Sequence, residues 1–235
     1  MIRNEAALLK NCNIKNVGNQ EDNLQIIDNS YAEVSEGAFS NTNMGPNDGD
    51  ELASVVKGST AIFYRQRFKN TRKSCFDSVV GDDYEIDISS LSAKFVECIF
   101  EDNSRRNPFG QLGQVRLHRC LIKNWGTKEY FNVKSYGIRA GKHAQVMASD
   151  CIFIQRPFSY FFNRNFISDI IYQETPYLLP PGWMRGAYAD WGGQIKLYNC
   201  YKNRSWIWLQ NHKGSYMSKE KAIELETYLE KVVPH

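Results

Sequence analysis

A chain of 235 residues, 42% of them hydrophobic and 23% charged, is long enough for one sizeable core or two small ones. Its 29 basic and 26 acidic residues leave a net charge of +3, too balanced to bind nucleic acid through bulk electrostatics. No apolar run approaches a membrane span, and six cysteines without a CxxC or HExxH pair support neither a disulfide scaffold nor a zinc site.

In chain order the expected strands come from one repeated phrase. It reads apolar, polar, apolar, a polar residue or two, a slot residue, two further residues and an asparagine. The copies are "ALLKNCNIKN" with Cys12 in the slot, "AEVSEGAFSN" with Gly37 and "AIFYRQRFKN" with Gln66. They continue with "KFVECIFEDN" (Cys98), "VRLHRCLIKN" (Cys120), "QVMASDCIFIQ" (Cys151) and "IKLYNCYKN" (Cys200). Only Cys75 falls outside the series. Slot spacings are 25, 29, 32, 22, 31 and 49 residues. Period-two alternation ending in a polar turn signals a strand. Repetition at this interval signals a stacked solenoid. The fold class expected is all-β, a right-handed parallel β-helix with a C-terminal amphipathic helix. The slot residues should form one interior column, and its cysteines should be free thiols, because in-register parallel neighbours lack disulfide geometry.

The solenoid is expected over residues 1–203, with a long aromatic-rich loop at about 156–193, and a C-terminal segment over 204–235. In "SYMSKEKAIELETYLEKVVPH", Ser218 is suited to cap a helix. Ala222, Leu225, Tyr228, Leu229 and Val232 share one face of it. The expected place for such a helix is over the open end of the solenoid.

Three passages resemble the pectate lyase superfamily, in particular family 1 polysaccharide lyases. "DELASVVKGS" (Asp50 to Ser59) resembles the family segment DGLxDxKxGS. "RKSCFDSVVGDD" (Arg72 to Asp83) resembles the segment that carries its catalytic-site lysine. "RRNPFGQLGQVRLHRCLIKNW" resembles R-x-P-x-x-R-x-G followed by a strand, and "SYGIRAGKHAQVMASDCIF" resembles the next coil. The likeness covers about Asn4 to Phe153, with cysteine where the family usually has an asparagine ladder. It implies β-elimination on a polyuronate, an acidic polysaccharide partner, Arg106 as proton-abstracting base and Lys73 holding the substrate carboxylate. Arg72, Arg105 and Gln111 would line the substrate site, Gln111 standing in place of the family's second arginine. An arginine base is unusual, since its pKa normally exceeds 12, and needs neighbouring cations.

The resemblance also implies calcium, held by carboxylates on two coils. Asp22 and Asp50 match two of the usual four; Gln20 and Ser54 replace the others, which weakens the site. The acidic run Asp48, Asp50 and Glu51 offers compensation. Equivalent phase on stacked coils would make Asp22 and Asp50 the acidic wall of a groove and Lys73 and Arg106 its basic wall. As exposed charges, Lys73 and Arg106 should be replaceable by alanine with little change in stability.

Family members carry further coils and a capping helix ahead of the first matched phrase, which implies an N-terminal capping partner or a larger assembly here. The sequence opens without a visible signal peptide, so secretion is expected only if this is a mature form. Three functions compete on these residues. A lyase is favoured by Lys73 and Arg106. A non-catalytic carbohydrate-binding or structural β-helix, such as part of a viral or phage particle, is favoured by the lost carboxylates. A hydrolase related to polygalacturonase has only "GDD" (Gly81 to Asp83) behind it.

Overall fold

The computed structural model describes residues 1–15, 22–40, 51–71, 74–78, 91–103, 105–126, 136–141, 143–155, 185–189, 192–205 and 207–235. Short strands wind into a right-handed parallel β-helix of three sheets, with eight, eight and seven strands among the described residues. Neighbours within each sheet come from successive coils and pair in parallel. The first sheet contains Leu24–Ile27, Glu51–Val55, Ser74–Ser78, Phe109–Gly110, Ile138–Ala140 and Arg185–Ala189 among its strands. Two short strands, Trp208–Leu209 and His212–Lys213, continue the first and second sheets past residue 203.

Alternation explains the second sheet. Its inward residues form two registered rows. One runs Ala32, Ala61, Ala93, Val115, Val146 and Ile195; the other runs Val34, Phe63, Phe95, Leu117, Ala148 and Leu197. All are buried, while intervening residues face out. Identical residues at one phase stack on each other. Phe63 lies on Phe95 with centroids 4.9 Å apart, and Phe68 lies on Phe100 at 5.0 Å. Each such pair adds about 0.5–1.5 kcal/mol beyond its buried area.

The slot residues do form one column, at the corner from the second sheet to the third. Residues on either side of each slot are in register from coil to coil. The corner is made by the residue before the slot. Asn11, Glu36, Arg65, Glu97, Arg119, Asp150 and Asn199 all take left-handed backbone, φ between 47° and 56°. That conformation costs about 1–2 kcal/mol per residue. It is offset because six of these N–H groups donate to the next coil, from Asn11 to Ser35 O at 3.0 Å through Asp150 to Tyr198 O at 3.1 Å. Gly37 is required in its slot: a Cβ there would stand 2.1 Å from the Cys12 carbonyl oxygen. Cys98, Cys120, Cys151 and Cys200 are fully buried free thiols, and Cys12 is a half-buried one. Burial pushes the Cys98 and Cys151 thiols well above the ordinary range, which keeps them protonated and unreactive.

Helix α1 spans Lys219–Val232, and the Ser218 side chain accepts from Lys221 N. Its expected apolar face is the buried one, but its expected place is not where it lies. Instead of closing an end, α1 runs along the outer face of the third sheet, packing Leu225 and Leu229 in a cluster with Ile99, Leu121 and Ile152. Met217 N bonds Cys200 O just before the helix, and Pro234 O accepts from Arg67 Nε just after it, at 2.8 Å. The helix therefore travels back across five coils. The reason is chemical: the third sheet's outward residues at the strand starts are Ile99, Leu121 and Ile152, an apolar strip that needs a cover.

A charged clasp surrounds that strip. The Arg67 side chain is 1% exposed and reaches Glu101 at 2.9 Å and Glu230 at 2.8 Å. Lys123 pairs with the same two glutamates. Arg65 joins Glu97 at 3.0 Å and the Tyr228 hydroxyl at 2.8 Å.

Candidate functional site

Of the residues that the resemblance singled out, Asp22 and Arg106 adjoin strands of the first sheet. Its register makes one row across six strands: Gln25, Ser54, Asp77, Phe109, Arg139 and Tyr188. Asp22 lies two residues before the strand bearing Gln25, and Glu51 opens the strand bearing Ser54. Arg106 leads into Phe109–Gly110, which lies two strands along from Glu51–Val55.

The chain around Arg106 is held from both sides. Its carbonyl accepts from Phe76 N at 2.9 Å; Asn107 N donates to Gly137 O at 2.8 Å, and Pro108 O accepts from Arg139 N at 3.0 Å. Asn107 is buried, takes a bond from Asn103 Nδ2 at 2.9 Å and gives one to Tyr136 O at 3.3 Å. Arg106 itself is left-handed, φ 60°. This backbone projects the guanidinium back across the sheet, where Nη1 pairs with the Glu51 carboxylate. The Arg106 side chain is 25% exposed and that of Glu51 only 6%. Asp22 continues the chain, accepting from Glu51 N at 3.1 Å and from the Ser54 hydroxyl.

On the other side of Arg106 aromatic rings and cations interleave. The Arg106 guanidinium lies 5.5 Å from the Phe109 ring centre. Arg139 lies 4.5 Å from Phe109, 5.2 Å from Tyr136 and 5.4 Å from Tyr188, and Arg185 lies 4.9 Å from Tyr188. Both arginines are buried to 9% exposure or less, where attraction to a ring face is strongest.

Of the residues expected in the site, Asp22 and Arg106 come together on this face, joined through Glu51. Gln111 is half-buried five residues past Arg106; Arg105 is half-buried, and its Nε has no hydrogen-bond partner among the described residues. Arg72, Lys73 and Asp50 lie outside the described residues. Glu51 entered the sequence reading only as one member of an acidic run; Arg139, Arg185, Phe109 and Tyr188 did not enter it. A signal existed: Phe109, Arg139 and Tyr188 each directly precede a glycine or alanine, in "PFG", "IRA" and "AYA".

The described carboxylates of the expected calcium site are engaged by the protein's own groups. Of the described carboxylates, Asp22 is turned to a hydroxyl and an N–H, and Glu51 to a guanidinium. Among the described residues no group of three or more histidine, cysteine, aspartate or glutamate side chains is placed to hold a metal ion.

Comparison with solved structures gives the fold precedents. The chain is similar to a pectate lyase studied for substrate specificity and its anti β-elimination mechanism. That match has 11% identity and a TM-score of 0.52, over 99% of this chain and 68% of the other. It is similar likewise to an arginine-to-lysine variant of Bacillus subtilis pectate lyase, with 10% identity, TM-score 0.51 and the same coverage. The fold is thus the parallel β-helix of pectate lyases. No family model matches the sequence, and no curated protein does. No helix among the described residues is long and apolar enough to cross a membrane.

Proposed function

We propose that the chain is a family 1-like polysaccharide lyase acting on a polyuronate, with the reacting site on the first sheet around Arg106. The observation that carries this reading is the Asp22–Glu51–Arg106 chain on a pectate-lyase fold, with the arginine more exposed than the glutamate it pairs with. In the reaction a base takes the proton α to the uronate carboxylate. A double bond forms to the neighbouring carbon, whose bond to the glycosidic oxygen breaks, and that oxygen leaves with the electron pair. Arg106 is assigned the proton and Lys73 the substrate carboxylate. The Glu51 carboxylate favours the charged form of Arg106. The pairing with Glu51 therefore has to break, and neighbouring cations have to disfavour the charge, before Arg106 can serve as base; no step is routed through calcium.

That same pair favours a second reading. A guanidinium kept charged is a carboxylate receptor, so a non-catalytic uronate-binding β-helix uses the identical geometry. The deciding experiment is incubation with polygalacturonate, with and without calcium, following ultraviolet absorbance of unsaturated uronates. Absorbance growth that disappears in Arg106→Ala supports the lyase. Cleavage by Arg106→Ala at the parent rate removes the catalytic assignment, and no cleavage by either protein leaves the binding reading.

A further inference from the structure

The three outer faces of the solenoid are used differently. The first carries the candidate site and the third lies under α1. The second sheet's outer face is exposed, and over its later coils it has a one-sided charge. The strands Leu91–Val96, Gln114–His118, Gln145–Ser149 and Gln194–Tyr198 contain no acidic residue. Their outward central row is Lys94, Arg116, Met147 and Lys196, in register, with the three cations exposed. Beside it runs a second registered row, Gln114, Gln145 and Gln194. The rows are tied together where Arg116 Nη2 donates to Gln114 Oε1 at 2.8 Å.

We propose that this face is a second binding surface for a carboxylated polysaccharide, lying along the solenoid axis. Charge complementarity selects an anion: a chain with a net charge of only +3 concentrates three cations on four strands free of acid. Strands recur about every 4.8 Å, comparable with the length of one sugar ring, so cations and amides repeat in step with an extended glycan. Each glutamine amide both donates and accepts, which suits hydroxyls flanking a carboxylate. A nucleic acid is a poorer match. A flat sheet does not enter a duplex groove, and the rows lack the run of aromatic platforms that single strands stack on.

The test is affinity electrophoresis through gels containing polygalacturonate, in an Arg106→Ala background so that cleavage cannot erode the ligand. It does not depend on the lyase reading. Combined Lys94→Glu, Arg116→Glu and Lys196→Glu should weaken retardation about tenfold with the melting temperature unchanged. Lys94→Gln with Lys196→Gln should give a smaller loss. A control carrying Lys219→Glu, Lys221→Glu and Lys231→Glu on α1 has the same net charge as the face variant and, each protein measured against its own mobility in a ligand-free gel, should be retarded as strongly as the background protein. The triple face variant, returned to the Arg106 protein, should keep its rate on a short uronate oligomer. The proposal fails if the face variant is retarded like the background protein, or if the α1 control loses as much. It fails too if single-stranded DNA binds as tightly as polygalacturonate.

Discussion

The chain holds two groups of buried charge on opposite kinds of ground. In the clasp under α1 the cation is the hidden member: the Arg67 side chain is 1% exposed, against 31% for its partner Glu230. On the first sheet the order is reversed, with Glu51 at 6% and Arg106 at 25%. The clasp spends its cation on the protein's own carboxylates and last carbonyls. The first sheet hides an anion and leaves a cation partly exposed, as the proposed uronate site requires. Burial of charge is common to both; the sign left facing out differs.

The largest expected effect comes from breaking the clasp. Arg67→Ala leaves Glu101 and Glu230 to Lys123 alone and takes the donor from the Val233 and Pro234 carbonyls; it should cost about 3 kcal/mol, read as a fall in melting temperature. Uronate binding at the first sheet should be unaffected; a variant as stable as the parent would refute the clasp's role. Next in size is Arg106→Ala. The burial of Glu51 revises the expectation of near-neutral stability. The variant should lose roughly 1–3 kcal/mol as a buried carboxylate loses its cation. Adding Glu51→Gln should restore most of that loss without restoring any activity, which a denaturant melt and the absorbance assay read separately.

Acid should separate the two regions further. Burial by itself pushes Glu97, Glu101 and Glu230 up. It is outweighed by Arg65 at Glu97 and by Lys123 at the other two, so all three sit below the usual carboxylate range. Their stabilisation is complete above an unfolded-state pKa of about 4.3 and is lost as pH falls through the lower folded-state values. The parent's melting temperature should therefore drop more steeply below that pH than that of Arg67→Ala. Parallel curves would sever the link. The smallest effect is Ser218→Ala, about 1 kcal/mol through the lost helix cap, seen as a shift in the midpoint of the same melts.

Much of the solenoid was legible because its constraint is local and repeated. Each slot residue sits at the same phase of an alternating phrase, so Cys98 and Cys120 had to stack once the strands paired. The buried face of α1 was legible for a similar reason. Its location was not, because a helix pattern specifies an apolar stripe and not the surface that receives it. That surface was written in Ile99, Leu121 and Ile152, whose outward direction follows only from the left-handed corner at Glu97, Arg119 and Asp150. Charged residues rarely adopt that backbone, so the corner is hard to anticipate, although the residue before every slot is polar. At the candidate site, Asp22 and Arg106 were readable by resemblance. Glu51 was hidden in plain sight among acidic neighbours, because its role depends on a partner 55 residues away.

The backward run of α1 has a mechanical consequence. A stack of coils held only by neighbours would peel from its last turn, one rung at a time. Here the backbone at Val233 and Pro234 is anchored to Arg67, four coils inward from Cys200. Tension applied beyond Pro234 loads that interior anchor first and reaches the final coil only after the helix has been stripped away. The strap thus sets a threshold ahead of an unzipping that would otherwise start at the last rung.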